Sequence, residues 1–308
     1  MRAMIFGGTG QDGHYLREIL VGDGIAVCSV ARQGGDFQVD VGDAVAVRDV
    51  IRDVRPDFVF HFAATSSTAH EHLWANHAAI GTGTLAILDA VDCDLPNTKV
   101  LLAGSGLQFV NDGLPLNEES PLDHTSPYIV ARNYSLYAAR YYRARGRKVY
   151  FAFLFNHDSP IRSNRHLNMK IAEAAALAAC GGSHRLRIGD LHAEKEFNFA
   201  GDITAALWRL VQQDAIYECV VGCGRSHSVL EWVELCFQYV GLDWKQHVDT
   251  DVNYRSPYQR LVSDPVKLLS LGWQPHMNLS RLAEIMMAEA LQRVEATKNT
   301  VSTDAHGT

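Results

Sequence analysis

The stretch "MIFGGTGQDGHYL" (residues 4–16) decides the fold, because three of its four glycines are regularly spaced between a strand-like run and a helical one. Gly7, Gly10 and Gly13 follow the pattern G-x-x-G-x-x-G. Glycines so placed permit a tight turn, close approach of a pyrophosphate to the backbone, and close packing of helix on strand. The helix N-terminus then faces the phosphate charge. In this context the pattern predicts a dinucleotide-binding turn; the alternative is a glycine turn that binds nothing.

Short apolar runs alternate with amphipathic segments through the first half of the chain. The runs are "RAMIF", "IAVCSV", "DFVFHFAA", "KVLLAGS" and "KVYFAFLFN", and the segments between them include "GHYLREILVGDG", "DAVAVRDVIRDV" and "GTLAILDAV". Strands this apolar are buried on both faces, and their alternation with helices is typical of a parallel sheet covered on both sides. We therefore predict an α/β protein with a Rossmann-like, doubly wound parallel sheet, which binds its ligand beyond the carboxyl ends of the strands.

The second half is less regular and predicts a smaller C-terminal α/β domain that binds the substrate. Irregular segments at 157–168 and 247–264 are rich in polar residues and resemble binding loops. We predict a dinucleotide-binding domain over 1–160 plus about 192–216, a substrate domain over 161–191 and 217–296, and a disordered tail over 297–308.

Composition narrows the class of function. The 308 residues are 47% hydrophobic and 20% charged with a net charge of −7, so a nucleic-acid partner is not expected. No apolar run reaches the ~20 residues that span a bilayer, and "MRAMIFGGTG" enters a strand directly, so we expect a cytoplasmic protein without a signal peptide or membrane segment.

Cys219 and Cys223 are close enough for half of a metal site, but no second ligand pair accompanies them. We predict packed thiols and no metal.

The end of the second strand indicates which dinucleotide is bound. An acidic residue there would hold the ribose 2′-hydroxyl of NAD, whereas an arginine accommodates the 2′-phosphate of NADP. The predicted strand in "CSVARQGG" ends at Arg32, with no acid before Asp36, so we predict NADP(H). Asp40 is either an adenine contact or the N-cap of the following helix.

Longer motifs resemble a known family. The segments "TGQDGHYL", "NEESPLDHTSPYIVA", "LFNHDSP", "HSVLEWVELCFQYVGL" and "SDPVKLLSLGWQP" make residues 1 to about 290 similar to extended short-chain dehydrogenases/reductases of the epimerase/dehydratase type, and among these most similar to the GDP-mannose 4,6-dehydratases. The glycine turn and this resemblance together imply cofactor contacts at Gly7, Thr9, Gly10, Gln11, Asp12, Gly13, Arg32, Asp40, Val41, Ala63, Ala64, Tyr128 and Arg132.

The resemblance implies a hydride shuttle on a nucleotide sugar. NADP accepts hydride from C4, a glutamate removes the C5 proton, water leaves from C6, and hydride returns to C6. A hydroxyl residue and the tyrosine of Y-x-x-x-K handle the C4 oxygen, and the lysine holds the nicotinamide ribose. The corresponding catalytic residues here are Ser105, Tyr128 and, in place of lysine, Arg132.

Two departures from the family pattern concern catalysis. Arg132 keeps the charge and donors of the lysine, but its planar fork is longer, and a misplacement of ~1 Å can cost about 100-fold in rate. Leu107 occupies the glutamate position, where a one-residue slip gives only Gly106 or Gln108. General base catalysis is worth ~10²–10⁴-fold, so dehydration requires another acid. Glu118 and Glu119 are near in sequence, but such acids usually face solvent.

On the substrate side, the resemblance implies nucleotide-diphosphate and base contacts at Asn156 and Lys170 and a diphosphate contact at Arg255. Lys195 replaces a second arginine, and a lysine gives phosphate a point charge but no bidentate contact. For Lys170 and Lys195 the alternative is solvated surface.

Three functions are compatible with these residues. The first is an NADP(H)-dependent reductase acting at C4 of a nucleotide-linked sugar, with a GDP-linked 4-keto-6-deoxyhexose favoured. The second is a GDP-mannose 4,6-dehydratase with a displaced base, and the third is a nucleotide-sugar and NADP-binding protein with weak catalysis. The resemblance implies that the "YSLYAARYYRA" helix pairs with that of "GTLAILDAV" across a two-fold axis, and its aromatic surface suits such an interface. Tetrameric members of the family use an arginine-rich loop after the second strand, whereas "ARQGGDFQVD" is shorter and holds one arginine, so we predict a homodimer.

Overall fold

A seven-stranded sheet forms the centre of the computed structural model, which describes residues 1–251, 253, 254 and 256–304, with side chains up to residue 297. The described part of the chain forms these strands, in chain order: β1 (Arg2–Phe6), β2 (Ala26–Ala31), β3 (Phe37–Gln38), β4 (Phe58–His61), β5 (Lys99–Ala103), β6 (Val149–Leu154), β7 (His157–Asp158), β8 (Leu186–Ile188), β9 (Glu194–Glu196), β10 (Asn198–Phe199), β11 (Glu218–Val221), β12 (Ser226–Ser228), β13 (Val248–Thr250) and β14 (Arg260–Leu261).

The helices connect these strands. They are α1 (Gln11–Gly22), α2 (Ala44–Val54), α3 (Leu73–Asn76), α4 (Gly83–Asp94), α5 (Pro127–Ala144), α6 (Leu167–Ala179), α7 (Ala200–Val211), α8 (Val229–Tyr239), α9 (Val266–Ser270) and α10 (Leu279–Asp304). Short 3₁₀ turns cover His70–His72, Gly106–Gln108 and Trp244–Gln246, and a π-helical segment, His77–Thr82, leads into α4.

The large sheet is parallel throughout and has the order β3-β2-β1-β4-β5-β6-β11. The order reverses between β1 and β4, which is where doubly wound sheets bind their ligands. Apolar side chains of α2, α4 and α5 cover one face, and those of α1, α7 and α9 cover the other. The fold confirms the predicted Rossmann-like, doubly wound architecture.

A third core lies outside the large sheet. Helices α6, α8 and α10 pack together there with β8 and β13, around a buried tryptophan, Trp232. The smaller strands form two further sheets: one of three strands, in the order β12-β9-β14, and the parallel pair β7 and β10. No helix in the described part of the chain is long and apolar enough to cross a membrane.

Two sequence-based boundaries differ from the structure. The boundary at residue 217 assigned β11 to the second domain, but β11 pairs in parallel with β6 at the edge of the large sheet. The predicted disorder from residue 297 was wrong as far as Asp304, because α10 continues to that residue. No proline or glycine interrupts 297–304, and extending a helix costs far less than nucleating one. Residues 305–308 lie outside the described part of the chain.

Candidate active site

The glycine turn between β1 and α1 has the backbone shape that glycine alone tolerates. Gly7 has a φ of +82°, and a Cβ there would lie 2.7 Å from the amide nitrogen of Ala63. A Cβ on Gly13 would lie 2.6 Å from Cα of Gly8, so the start of α1 packs directly on the turn. These contacts leave the first turn of α1 and its unpaired N–H groups beside the end of β1.

A cleft of about 690 Å³ opens at this turn, next to the point where the strand order reverses. It brings together eight of the predicted cofactor-binding residues: Gly7, Thr9, Gly10, Arg32, Asp40, Val41, Ala63 and Ala64. We call it the dinucleotide cleft. A backbone cradle that a side chain would fill, combined with a helix N-terminus, is a fit for a dinucleotide pyrophosphate.

Asp36, the first acidic residue after β2, is hydrogen-bonded to protein groups outside the cleft. The Asp36 carboxylate accepts hydrogen bonds from the backbone N–H and the hydroxyl of Ser29, both at 2.8 Å, and from Arg17 at 3.0 Å. Among these contacts the Ser29 backbone N–H is the largest cause of a lowered Asp36 pKa. Arg32 and Gln33, not Asp36, line the cleft at this point.

Asp40 was expected to be either an adenine contact or the N-cap of α2, and the structure excludes the N-cap. The N-cap of α2 is Asp43, whose carboxylate accepts from the N–H groups of Val45 and Ala46 at 3.1 Å. The Asp40 carboxylate accepts a local bond from Gly42 N–H at 2.9 Å, and Asp40 lines the dinucleotide cleft. Its role as an N-cap was therefore the wrong alternative.

A second cleft of about 250 Å³ adjoins the first and contains the predicted catalytic residues. Ser105, Leu107, Tyr128 and Arg132 all line it. Asp12, predicted as a cofactor contact, lines this second cleft as well. Gln11 lies behind the wall, where its carbonyl oxygen accepts from the hydroxyl of Ser159 at 2.7 Å. We call this second cleft the catalytic cleft.

Ser105 and Leu107 share one 3₁₀ turn after β5. The Ser105 hydroxyl accepts from the N–H of Leu107 at 3.2 Å, so its own proton stays available for a ligand. The buried Gln108 side chain accepts from the N–H of Ser105 at 2.8 Å and donates to Asn133 at 3.0 Å. Gln108 thus holds the turn together and is not an alternative to the missing glutamate.

Tyr128 and Arg132 lie one turn apart near the start of α5. Ser126 caps this helix and Pro127 occupies its first position. The guanidinium carbon of Arg132 lies 5.2 Å from the centroid of the Tyr128 ring, within cation–π range. Arg132 also donates through Nη1 to the carbonyl oxygen of Ala103, and its Nε has no hydrogen-bond partner among the described residues.

Behind Arg132 lies a buried histidine at the end of β4. Burial first, and then the positive charge of Arg132, lower the pKa of His61 to about 3. His61 is therefore neutral at physiological pH, and the charge in this part of the site belongs to Arg132.

The two glutamates considered as displaced bases do not line the catalytic cleft. Glu118 accepts from the N–H of Val220 at 2.7 Å and lies 3.2 Å from the ammonium of Lys267, so it anchors the edge strand β11. Glu119 is exposed, and it is not among the residues that line the catalytic cleft in the described part of the chain. Neither carboxylate is placed to replace Leu107.

A polar network that the sequence reasoning missed forms the far wall of the catalytic cleft. Nε2 of His157 lies 2.9 Å from Oδ1 of Asp12, and Nε of Arg162 lies 3.2 Å from Oδ1 of Asp158. Asn168 joins this group, because its amide donates to Oδ2 of Asp158 at 2.7 Å. The only hint in the sequence was the polar character of residues 157–168.

The structure divides the predicted substrate-binding residues. Asn156 lines the catalytic cleft, and its Oδ1 is buried without a hydrogen-bond partner among the described residues. Lys195 lines it too and donates to Oδ1 of Asn168 at 2.9 Å. Lys170 is exposed and is not part of the described cleft wall, because Leu167 and Asn168 occupy the cleft-facing positions of α6. Arg255 lies outside the described residues.

Lys195 is a buried cation, and solvated surface was the wrong alternative for it. Its side chain lies over the ring of Phe197 at 5.0 Å, and the residue is 8% exposed. Burial lowers its pKa, although the carboxylate of Asp158 opposes that shift. A buried ammonium whose nearest hydrogen-bond partner is a neutral amide is suited to receiving an anionic group.

Residues 4–286 match the protein family described as GDP-mannose 4,6 dehydratase. The chain belongs to this family. GDP-mannose 4,6 dehydratase 2 of Arabidopsis thaliana is 32% identical over 333 residues, covering 96% of this chain and 88% of that protein. The human GDP-mannose 4,6 dehydratase is 27% identical over 346 residues, covering 96% and 93%. The resemblance predicted from sequence is thereby confirmed.

Solved structures share the fold at lower identity. RMD from Pseudomonas aeruginosa, complexed with NADPH, has a TM-score of 0.84 and 20% identity, covering 95% of this chain and 99% of that chain. UDP-glucose 4-epimerase from Thermus thermophilus, in complex with NAD, has a TM-score of 0.80 and 22% identity, covering 94% and 99%.

As a GDP-mannose 4,6-dehydratase family member, the chain belongs to a group of enzymes that modify nucleotide sugars. Its departures at Leu107 and Arg132 lie on one wall of one cleft, together with Ser105 and Tyr128. Within the described residues, no group of three or more His, Cys, Asp or Glu side chains is arranged to hold a metal ion.

Proposed function

We propose that this family member is an NADP(H)-dependent reductase acting at C4 of a GDP-linked 4-keto-6-deoxyhexose. One observation carries the proposal: Ser105, Tyr128 and Arg132 line the same cleft wall as Leu107. The groups needed to exchange a proton with a C4 oxygen are together, while the position of the C5 base is apolar. Reduction of a ketone needs the first set of groups and not the second.

The dinucleotide cleft supports a nicotinamide cofactor. Gly7, Gly10 and Gly13 would hold the pyrophosphate at the start of α1, and Arg32 would meet a 2′-phosphate. The engagement of Asp36 by Ser29 favours NADP over NAD, since no other acid lies at the end of β2. The NADPH and NAD named for the RMD and epimerase structures are consistent with this class of cofactor.

The residues of the catalytic cleft have distinct chemical tasks. When bound, the reduced nicotinamide supplies a hydride to the carbonyl carbon at C4. Tyr128 gives its phenolic proton to the C4 oxygen, which becomes a hydroxyl, and Ser105 donates a hydrogen bond to the same oxygen. The guanidinium of Arg132 stabilises the phenolate that remains until solvent returns the proton.

The opposite wall of this cleft suits the nucleotide diphosphate. Lys195 offers a buried ammonium to the diphosphate, and Asn156 offers an amide oxygen, without a hydrogen-bond partner among the described residues, that can accept from a donor group of the base. We propose that these two residues, together with Arg255, bind the diphosphate and the base. The third core would then belong to a nucleotide-sugar domain, and the large sheet to an NADP domain.

A 4,6-dehydratase with a displaced base is the second candidate, because the family match extends over most of the chain. Asp12 and Asp158 are carboxylates on the cleft wall, but His157 and Asn168 already engage them. In that case Leu107→Glu should increase dehydration, since it places a carboxylate beside Ser105. A protein that only binds the two ligands would turn over neither substrate.

One assay separates the candidates. The protein is mixed with NADPH and GDP-4-keto-6-deoxymannose, or with NADP⁺ and GDP-mannose, and the absorbance of the reduced nicotinamide is followed. A reductase consumes NADPH in the first mixture. A dehydratase forms a 4-keto sugar in the second without net change in the cofactor, and this result would replace the reductase proposal.

A further inference from the structure

Leu107 gives the catalytic cleft an apolar patch beside its proton-transfer groups. The side chain is half-buried and packs against the small buried cluster of Ile80, Tyr128, Ile129 and Ala131. Its backbone N–H donates to the hydroxyl of Ser105. A sugar whose C4 oxygen meets both Ser105 and Tyr128 must therefore bring an adjoining part of its ring against Leu107.

The turn that carries Leu107 has little freedom to move. A Cβ on Gly106 would lie 3.0 Å from the ring of Phe155, so the turn rests on that ring. Gln108 fixes the other side through its bonds to Ser105 and Asn133. The turn is thus held in place. It cannot shift by one residue to bring Gly106 or Gln108 to the position of Leu107 without breaking these contacts.

The substituents of a hexose next to C4 differ in polarity. C3 carries a hydroxyl, whereas C5 carries either a methyl group, in a 6-deoxy sugar, or a hydroxymethyl group. Only the methyl group can meet a leucine without leaving a hydroxyl unpaired. We infer that Leu107 contacts the C6 methyl group and selects 6-deoxy sugars over their 6-hydroxy counterparts. This inference rests on the proposed C4 oxidoreductase function.

The test uses two sugars that differ only at C6, in the direction of C4 oxidation. GDP-6-deoxymannose and GDP-mannose are each supplied with NADP⁺, and kcat/KM is measured from nicotinamide reduction. The dissociation constant of each sugar for the NADP⁺-loaded protein is measured as well. We expect a preference of about 10- to 100-fold for the 6-deoxy sugar, the range that one pocket contact provides.

Two substitutions locate the source of the preference. Leu107→Gln offers a donor and an acceptor at similar length and should reduce the preference to about threefold or less. Leu107→Met keeps an apolar side chain of similar volume and should retain the preference, whatever it does to the rate.

Equal kcat/KM values for both sugars in the unmodified protein would overturn the inference and leave the reductase function standing. They would mean that a hydroxyl on the cleft wall, such as that of Ser66 or Thr68, reaches O6. If neither sugar is oxidised, NADPH consumption with GDP-4-keto-6-deoxymannose decides the reductase function, and the two dissociation constants decide the inference. A ratio near one, or a ratio that Leu107→Gln leaves unchanged, refutes it.

Discussion

His157 and Asp12 join the two sides of the catalytic cleft: Nε2 of the imidazole lies 2.9 Å from Oδ1 of the carboxylate, although 145 residues separate them in the chain. The other ring nitrogen, Nδ1, lies 2.8 Å from the carbonyl oxygen of Phe155. Both nitrogens face acceptors, the arrangement that an imidazolium donating twice requires. The pair ties the first turn of α1, beside the dinucleotide cleft, to strand β7.

This pair predicts a dependence of stability on pH. Burial disfavours both charges, yet the attraction between the two groups raises the pKa of His157 and lowers that of Asp12. The histidine contribution is complete below its unfolded pKa of about 6.5 and is lost as pH rises through the folded value. The aspartate contribution is present above about 4 and is lost as pH falls through its lowered value.

We therefore expect His157→Ala to lower the free energy of unfolding by about 3 kcal/mol at pH 6, since it leaves a buried carboxylate unpaired. The difference from the unmodified protein should shrink as pH rises above the folded His157 value. Urea unfolding at a series of pH values measures it. His14→Ala, which removes an exposed histidine 3.4 Å from Glu18, is the control and should change stability little. A difference that stays constant from pH 5 to about pH 9 would mean that His157 is not charged.

Arg32 should determine the choice of dinucleotide. We expect tighter binding of NADP(H) than of NAD(H), and loss of that preference in Arg32→Ala, because Asp36 is held by Ser29 and does not line the cleft. A charge-assisted contact to a 2′-phosphate gives a change of about 10-fold or more. Dissociation constants from fluorescence titration measure the ratio. Arg52→Ala, an exposed arginine on α2, should leave it unchanged, and equal affinities in the unmodified protein would contradict the NADP assignment.

Glu196 should be important for folding. Its buried carboxylate accepts from the backbone N–H groups of Cys223 and Ser263, both at 2.6 Å, and from Asn198 at 2.8 Å. Glu196→Gln turns one oxygen into a donor that faces other donors, so we expect a loss of about 2–4 kcal/mol in the free energy of unfolding. Denaturant titration measures it.

Glu194→Gln is the matched control for this prediction, because Glu194 lies in the same strand but its side chain is 44% exposed. Its exposed contacts to Arg260 and Ser226 should be worth about 1 kcal/mol or less. Equal losses in the two variants would show that the buried bonds of Glu196 contribute nothing special.

The exposed face of α5 should form a homodimer interface. Tyr137 and Tyr141 are each 58% exposed and Val130 is 51% exposed, which leaves an apolar surface on one helix. We expect a dimer in light scattering at micromolar concentration. Tyr137→Lys should shift it towards monomer, because a two-fold axis brings the two substituted positions to the same interface. Tyr239→Lys, an exposed tyrosine on α8, is the control. A monomer in the unmodified protein would refute the interface.

The site residues that the sequence could predict are those placed by the ends of the parallel strands. Gly7, Arg32, Ser105 and Tyr128 follow the ends of strands or begin the helices after them, and parallel strands bring such ends to one edge. The contact between Asp12 and His157 could not be predicted in this way, since it depends on how the chain after β6 packs against the start of α1. Lys170 was misplaced for a related reason, because the rotation of α6 about its axis decides which side chain meets the cleft.

The last prediction concerns Tyr128 and Arg132. If the phenol delivers the proton, Tyr128→Phe should lower kcat by about 10²–10⁴-fold while the affinity for NADP(H) stays within a few-fold. Arg132→Met removes the charge that lies 5.2 Å from the ring and should reduce kcat by a similar amount. Arg132→Lys keeps a cation on a shorter side chain and should preserve or raise kcat. A decrease in both lysine and methionine variants would mean that the guanidinium fork itself, through its bond to the Ala103 carbonyl, is required. Unchanged turnover in Tyr128→Phe and Arg132→Met, measured with NADPH and a 4-keto sugar, would show that the proton comes from another group.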